Sequence, residues 1–374
     1  PYLLGAAASV LFVVVGAVGL SGSRVTLSLG GLLGFDPAVL GSANLVVDPL
    51  SALFLVLCFG VGLPVALVCA FWVVDSPRVR SRGLGVTHSL ALGAIAAIVT
   101  ADETFVFLFA WESLTFAFYL LAGYDRTRAD RTNAAVITVV FSKASGALLL
   151  IGFLLLASRA GTLSFQALRE LAPSGLRDAG YALLIAGFAV KVGLLPVHVW
   201  MPRGYRAAPG PLRSVMAGVA VNVGFYGMWR TLDLLHAPPG WLAVVVLLVA
   251  AATALLGIAH ATVQRDFTEV IAYSSVENGG LISVGYAVAM IGAVLRMPQL
   301  IAVGLIAAML QMVAHAVAKS LLFAAIARVE DVEGTMMLDD LRGVGHRYPW
   351  SGAGIAIGSA TLAGLPLTMG LVSE

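Results

Sequence analysis

The chain has only three lysines, and all of them lie inside apolar runs: Lys143 in FSKASG, Lys191 in FAVKVGLLP and Lys319 in HAVAKSLLF. A lysine at the centre of a membrane helix costs about 2.5–3.5 kcal/mol, so random placement is a poor account of three out of three. Matching acids stand in similar surroundings, Glu112 in FAWESL, Glu277 in SSVENGG and Glu374 in LVSE. His315 is four residues before Lys319, on the same helix face, and His260 lies at the edge of another apolar run. Buried acids, lysines and histidines of this kind could pass protons. The structural alternatives are fixed ion pairs or long side chains reaching back to the interface, and for Lys143 these stand level with a functional role. Lys319, about eight residues from its helix end, could also reach back. Lys191 and Glu112 lie too deep for that, and the set as a whole suggests a path for charge. His88, His236 and His346 fall near loops and are expected to be solvated.

The elements that hold these residues must be membrane helices. Of 374 residues, 60% are hydrophobic and 11% charged, against about 25% charged in a soluble domain, which excludes a soluble enzyme. The net charge of +2 is spread over short clusters, so no basic face for nucleic acid exists. Cys58 and Cys69 lie in one apolar run, about 16 Å apart on a helix, which implies neither a disulfide nor a zinc site. A crossing takes about 20 apolar residues. Eleven such segments run over approximately 1–20, 47–74, 84–100, 104–123, 133–157, 180–200, 211–231, 241–261, 269–293, 299–327 and 351–372. The expected fold is an all-α polytopic membrane protein in a single transmembrane domain over 1–374. Residues 161–172 are too short and polar to span, and are expected to form an amphipathic surface helix. No cleavable signal is expected in 1–20, and both ends read as cut from a longer chain.

All 19 arginines are assigned to loops or helix ends. Thirteen fall on one side of the membrane, among them Arg78, Arg126, Arg203 and Arg342, and six on the other, including Arg24, Arg169 and Arg230. The positive-inside rule places the thirteen in the cytoplasm. Two segments carry prolines beside the buried charges: Pro196 follows Lys191, and Pro366 precedes Glu374. Broken helices at membrane depth are tolerated where they line a hydrated cavity. The two breaks take similar places in two sets of helices, 84–231 and an incomplete 241–374, after N-terminal helices in 1–74. Five helices per unit is odd, so successive units would be inverted, the plan of secondary transporters.

Several stretches resemble a known family: VDPLSALF at 47–54, FAWES at 109–113, AVKVGLLPVHVWMP at 189–202, AAPGPLRSVMAG at 207–218, IAYSSVENGG at 271–280, HAVAKSLLF at 315–323 and GLPLTMGLVSE at 364–374. In type and order they are similar to the antiporter-like, proton-translocating membrane subunits of respiratory complex I, Mrp-type sodium/proton antiporters and energy-converting membrane hydrogenases. The resemblance implies a fold of about fourteen helices, of which this chain supplies the second to twelfth. It implies that Glu112 pairs with Lys191 as a proton-loading switch, that Lys319 with His315 forms the central pair, and that Glu374 is the exit residue of the second broken helix.

The chain departs from the family at two places. Asn222 stands where many members carry a lysine or histidine, and Asp266-Phe267-Thr268-Glu269 lacks a basic pair common before AYSS. Asn222 is the sole Asn, Gln, Asp, Glu, His or Lys in 211–231, so it is the group expected to bridge Lys191 and Lys319 through water. The SSVENGG form with Glu277 looks like the hydrogenase-4 and formate hydrogenlyase branch. The resemblance implies no cofactor in this chain and no catalytic chemistry of its own. It leaves open whether the surrounding complex is an oxidoreductase of the NADH-quinone or hydrogenase type. Partners are expected to be other membrane subunits, the lipid bilayer and protons, with sodium as the alternative ion of an Mrp-like antiporter. A structural scaffold whose charges serve only assembly is the third possibility.

Overall fold

The computed structural model describes residues 1–28, 44–75, 82–125 and 129–373. Helix α1 (Tyr2–Leu20) is followed by a short antiparallel ribbon of β1 (Val25–Ser28) and β2 (Asn44–Val47), in register Val25↔Val47. The ribbon is an addition to the all-α expectation. Its β-branched residues pair next to the start of α2 (Pro49–Asp75). Then come α3 (Arg82–Thr100), α4 (Thr104–Ala122), α5 (Ala129–Ala160) and α6 (Phe165–Arg169).

Helix α7 (Gly175–Val192) ends in a non-helical turn before α8 (Trp200–Ala207). The next segment consists of α9 (Leu212–Ser214), a π-helix over Val215–Ala220, and α10 (Asn222–Leu235). The second half of the chain has α11 (Gly240–Thr262), α12 (Phe267–Leu295), α13 (Pro298–Glu333), α14 (Val344–Arg347), α15 (Pro349–Leu362) and α16 (Met369–Ser373).

Among the described residues, eight helices are long and apolar enough to cross a membrane: α1 to α5 and α11 to α13. The other three expected spans are the interrupted ones. Around Pro196 the chain leaves the helix at Gly193, whose φ of 79° is left-handed and whose N–H bonds Ala189 O. A Cβ there would also lie 2.6 Å from the end of the Met201 side chain, and the left-handed φ favours glycine. The break frees backbone groups, and buried side chains take them up: Thr253 Oγ1 accepts from Leu195 N–H at 3.0 Å, and Trp200 Nε1 donates to Val190 O at 2.7 Å. The turn after α15, around Pro366, is the second break, with Gly364 and Leu367 at positive φ. The π-helix has no proline, and nothing in the sequence pattern marks it.

The surface helix expected over 161–172 is the five-residue α6, with one face buried against the bundle. Phe165 and Leu168 are buried, and the Phe165 ring stacks on Phe153 with centroids 5.8 Å apart, closing one end of the bundle.

Two of the arginines assigned to segment ends are nonetheless interior. Arg230 and Arg213 are buried within their segments. Arg230 grips Asp48 with two bonds, Nη1 to Oδ2 at 2.6 Å and Nη2 to Oδ1 at 2.9 Å, and also meets Ser51 and Tyr226. Burial pushes the Asp48 carboxyl up, but the Arg230 guanidinium and the Ser51 N–H more than offset this and hold it at about 2. Arg213 in the same way grips Glu330 of α13, at 2.5 and 3.0 Å, while its Nε donates to Ala208 O. His88 is likewise not solvated. It is fully buried against Tyr2, with ring centroids 5.2 Å apart, because α1 packs over the face of α3 that carries it.

Candidate functional site: a buried line of polar groups

Lys191 ends α7, just before the break, where α7 packs against α4, α5 and α10. Its Nζ is buried and, among the described residues, has no hydrogen-bond partner. Three aromatic rings surround it: Phe118 with its centroid at 3.6 Å, Trp111 at 5.7 Å and Trp200 at 5.9 Å. Ring faces give about 0.5–2 kcal/mol to a cation, less than the several kcal/mol lost by an unpaired buried charge.

The expected pairing of Glu112 with Lys191, at ion-pair or one-water distance, is not a direct ion pair in the structure. Glu112 is bonded to Lys143 of α5. The reason is local: Gly146 lies one turn after Lys143, and a Cβ there would collide with Glu112 Oε1, so the carboxylate seats itself against the bare α5 backbone. Lys191 stays within electrostatic reach of Glu112 but does not touch it.

Across the next helix lies Asn222, fully buried at the first turn of α10, directly after the π-helix. Its Nδ2 donates to Gly218 O at 3.0 Å, while its Oδ1 has no partner among the described residues. Beyond it, His315 and Lys319 project from α13 into the interior, both buried. Both ring nitrogens of His315 are without a partner among the described residues. Lys319 Nζ donates to Ile271 O of α12 at 2.8 Å.

Glu277 of α12 lies within electrostatic reach of Lys319. Its Oε2 accepts from Ser274 Oγ and Asn278 Nδ2, each at 3.2 Å. Asn278 Oδ1 in turn accepts from Gln311 Nε2 at 2.7 Å. Sequence reasoning missed Asn278 and Gln311, although their amides in otherwise apolar spans are visible signals. His260 stays apart on the exposed side of α11, where its ring stacks on Tyr273 at 5.5 Å. Glu374 lies outside the described residues.

A cavity of about 550 Å³ lined by Arg131, Arg203, Arg206, Asp266, Glu269 and Glu330 opens at one end of the bundle. Thr268 also lines it, one helical turn from Ile271, the acceptor of Lys319. Charges of both signs therefore stand within about one helical turn of the acceptor of Lys319. What the arrangement can do is accept and release protons at lysine, histidine and carboxylate, with amides and water as connectors.

Interrupted helices around a buried row of lysine, amide and histidine define a multi-pass membrane bundle of the antiporter-like kind. The profile of the NADH:quinone oxidoreductase/Mrp antiporter transmembrane family matches residues 101–374, and the chain belongs to that family. It is 29% identical to hydrogenase-4 component B of Escherichia coli strain K12, over 100% of this chain and 59% of that protein. It is 27% identical to an Na(+)/H(+) antiporter subunit of Alkalihalophilus pseudofirmus, over 88% of this chain and 65% of that one. The chain thus spans a little under two thirds of these relatives. A solved structure, the membrane-bound sulfane sulfur reductase, an archaeal respiratory membrane complex, contains a chain of the same fold. The TM-score is 0.84 at 24% identity, covering 100% of this chain and 74% of that one.

Proposed function

We propose that this chain is a proton-translocating membrane subunit of a redox-driven complex, of the kind linked to hydrogenases. The observation that carries the reading is the row of buried polar atoms without hydrogen-bond partners among the described residues: Lys191 Nζ, Asn222 Oδ1 and both His315 nitrogens. Native proteins rarely leave such atoms unsatisfied, so each marks a place for water or for a proton in transit. In this reading Lys191, His315 and Lys319 take up and release protons, and Glu112 and Glu277 set how readily the two lysines do so. Asn222 holds a bridging water, and Glu374 takes the role of exit residue that the family resemblance implies. The charged cavity beside Thr268 is the entrance to Lys319.

The similarity to hydrogenase-4 component B favours the hydrogenase-linked branch, with redox chemistry in partner subunits. The arginine balance favours a cytoplasmic location for the loops carrying Arg203 and Arg342, and a cell or inner membrane as the site. We read 84–231 and 241–374 as two inverted units because a proline break falls in the fourth segment of each. The likeness to an Na(+)/H(+) antiporter subunit supports exchange of sodium for protons as the second reading.

The test is proton pumping in proteoliposomes of the complete complex, comparing wild type with Lys319→Met. A positioned proton-transfer group contributes about 10²-fold or more, and a loss of that size is expected while electron transfer by partner subunits continues in part. Co-purifying iron–sulfur or nickel subunits would support the first reading, and small antiporter subunits the second.

A further inference from the structure

We propose that Lys143 is the proton donor to Lys191, competing with it for the single carboxylate of Glu112. This inference rests on the proton-translocating reading above and adds a residue and a step to it.

Three observations support it. Glu112 is bonded to Lys143 and seated on α5 at Gly146, whereas Lys191 has rings around its Nζ and no hydrogen bond among the described residues. Glu112 nonetheless lies close enough for its charge to act on Lys191. The pair is also open on its outer side: the Lys143 side chain is 62% exposed and that of Glu112 37%, while Lys191 is only 3% exposed. Lys143 is therefore the member of the trio that can be recharged from outside the chain, and Lys191 the member that faces the interior line.

Charge balance then dictates the step. One carboxylate in apolar surroundings supports one ammonium, and a second ammonium would stand unpaired. With Glu112 turned to α5, the ammonium is Lys143 and Lys191 is the neutral amine. Transfer begins when an N–H bond of Lys143 breaks and an O–H bond forms on Glu112. The neutral carboxylic acid turns about its side-chain bonds toward α7. There the O–H bond breaks, an N–H bond forms on Lys191, and the new ion pair is Glu112 with Lys191. Lys191 then passes its proton to the interior line, Glu112 turns back to α5, and Lys143, left as an amine, takes a proton from water reaching its exposed side. The trio stays neutral during the transfer from Lys143 to Lys191, so no bare charge crosses the apolar region between them.

With ¹⁵N-lysine labelling, each side-chain nitrogen signal is assigned by its absence from the corresponding lysine variant, and the nitrogen shift separates ammonium from amine. The full chain in lipid vesicles at neutral pH is the sample. In wild type, Lys143 is expected as ammonium and Lys191 as amine. Lys143→Met should leave the carboxylate to Lys191 and turn the Lys191 signal to ammonium. Lys143→Arg should hold Glu112 outward with a guanidinium that does not release its proton, keeping Lys191 as amine. Both variants should slow pumping. The same form of Lys191 in the two variants, or ammonium at both Lys143 and Lys191 in wild type, would overturn the proposal. These readings do not depend on pumping, so they separate failure of the step from failure of the translocation reading, which Lys319→Met tests by itself.

Discussion

Two groups of buried polar side chains in this molecule behave oppositely. At the ends of the bundle, Arg230 with Asp48 and Arg213 with Glu330 form two-pronged pairs, and neighbouring backbone or hydroxyl groups take up further donors. In the middle, Lys191, Asn222 and His315 keep polar atoms without partners among the described residues. The two arginines are about as buried as the interior line, while their acids stay partly exposed, and only the joints have their hydrogen bonds made. A charge whose hydrogen bonds are complete is a fixed joint between helices. An incomplete one in the interior needs water or a moving proton.

The largest effect that can break this contrast is expected at a joint. Arg230→Met leaves the Asp48 carboxylate without its partner, and removing one side of a buried pair costs about 3–5 kcal/mol. Thermal unfolding in detergent should show this as a markedly lower melting temperature, and an unchanged one would mean that the pair is not a joint. A smaller effect is expected from pH. The Asp48 carboxyl titrates near 2 in the folded chain, below its unfolded value of about 3.9. Its stabilisation is therefore full above roughly pH 4–5 and lost as pH falls toward 2, about 2 kcal/mol in all. Wild type should lose stability over that range, and Asp48→Asn should lose much less there while being weaker at pH 7. The smallest change in stability is expected in the line itself. Asn222→Leu removes a group holding one hydrogen bond, so melting should shift little while pumping slows, and Asn222→Lys should be tolerated. Equal pumping by wild type and the leucine variant, in the same vesicles, would give Asn222 a packing role only.

How much of this was legible in the sequence differs between the two groups for a physical reason. Lysines and glutamates in apolar runs announce themselves by cost, and so do prolines at 196 and 366, since proline removes a donor from its helix. The partner of Glu112 was not legible, because the choice between Lys143 and Lys191 depends on whether the carboxylate can seat against Gly146, a contact between helices. The joints were missed because Arg230 and Arg213 lie near segment ends, where solvated arginines are the usual case, and their acids lie far away in the chain. Asn222 could be reached by elimination within its segment. The π-helix before it could not, since neither proline nor a charge marks it.

The central claim is that the unsatisfied line carries protons and the satisfied joints carry stability. One preparation can test both: Lys319→Met and Arg213→Met in the complete complex, each assayed for melting temperature and for proton pumping in vesicles. The account predicts that Lys319→Met melts close to wild type and pumps about 10²-fold more slowly, while Arg213→Met melts well below it. Pumping at the wild-type rate by the folded Lys319→Met complex would contradict it.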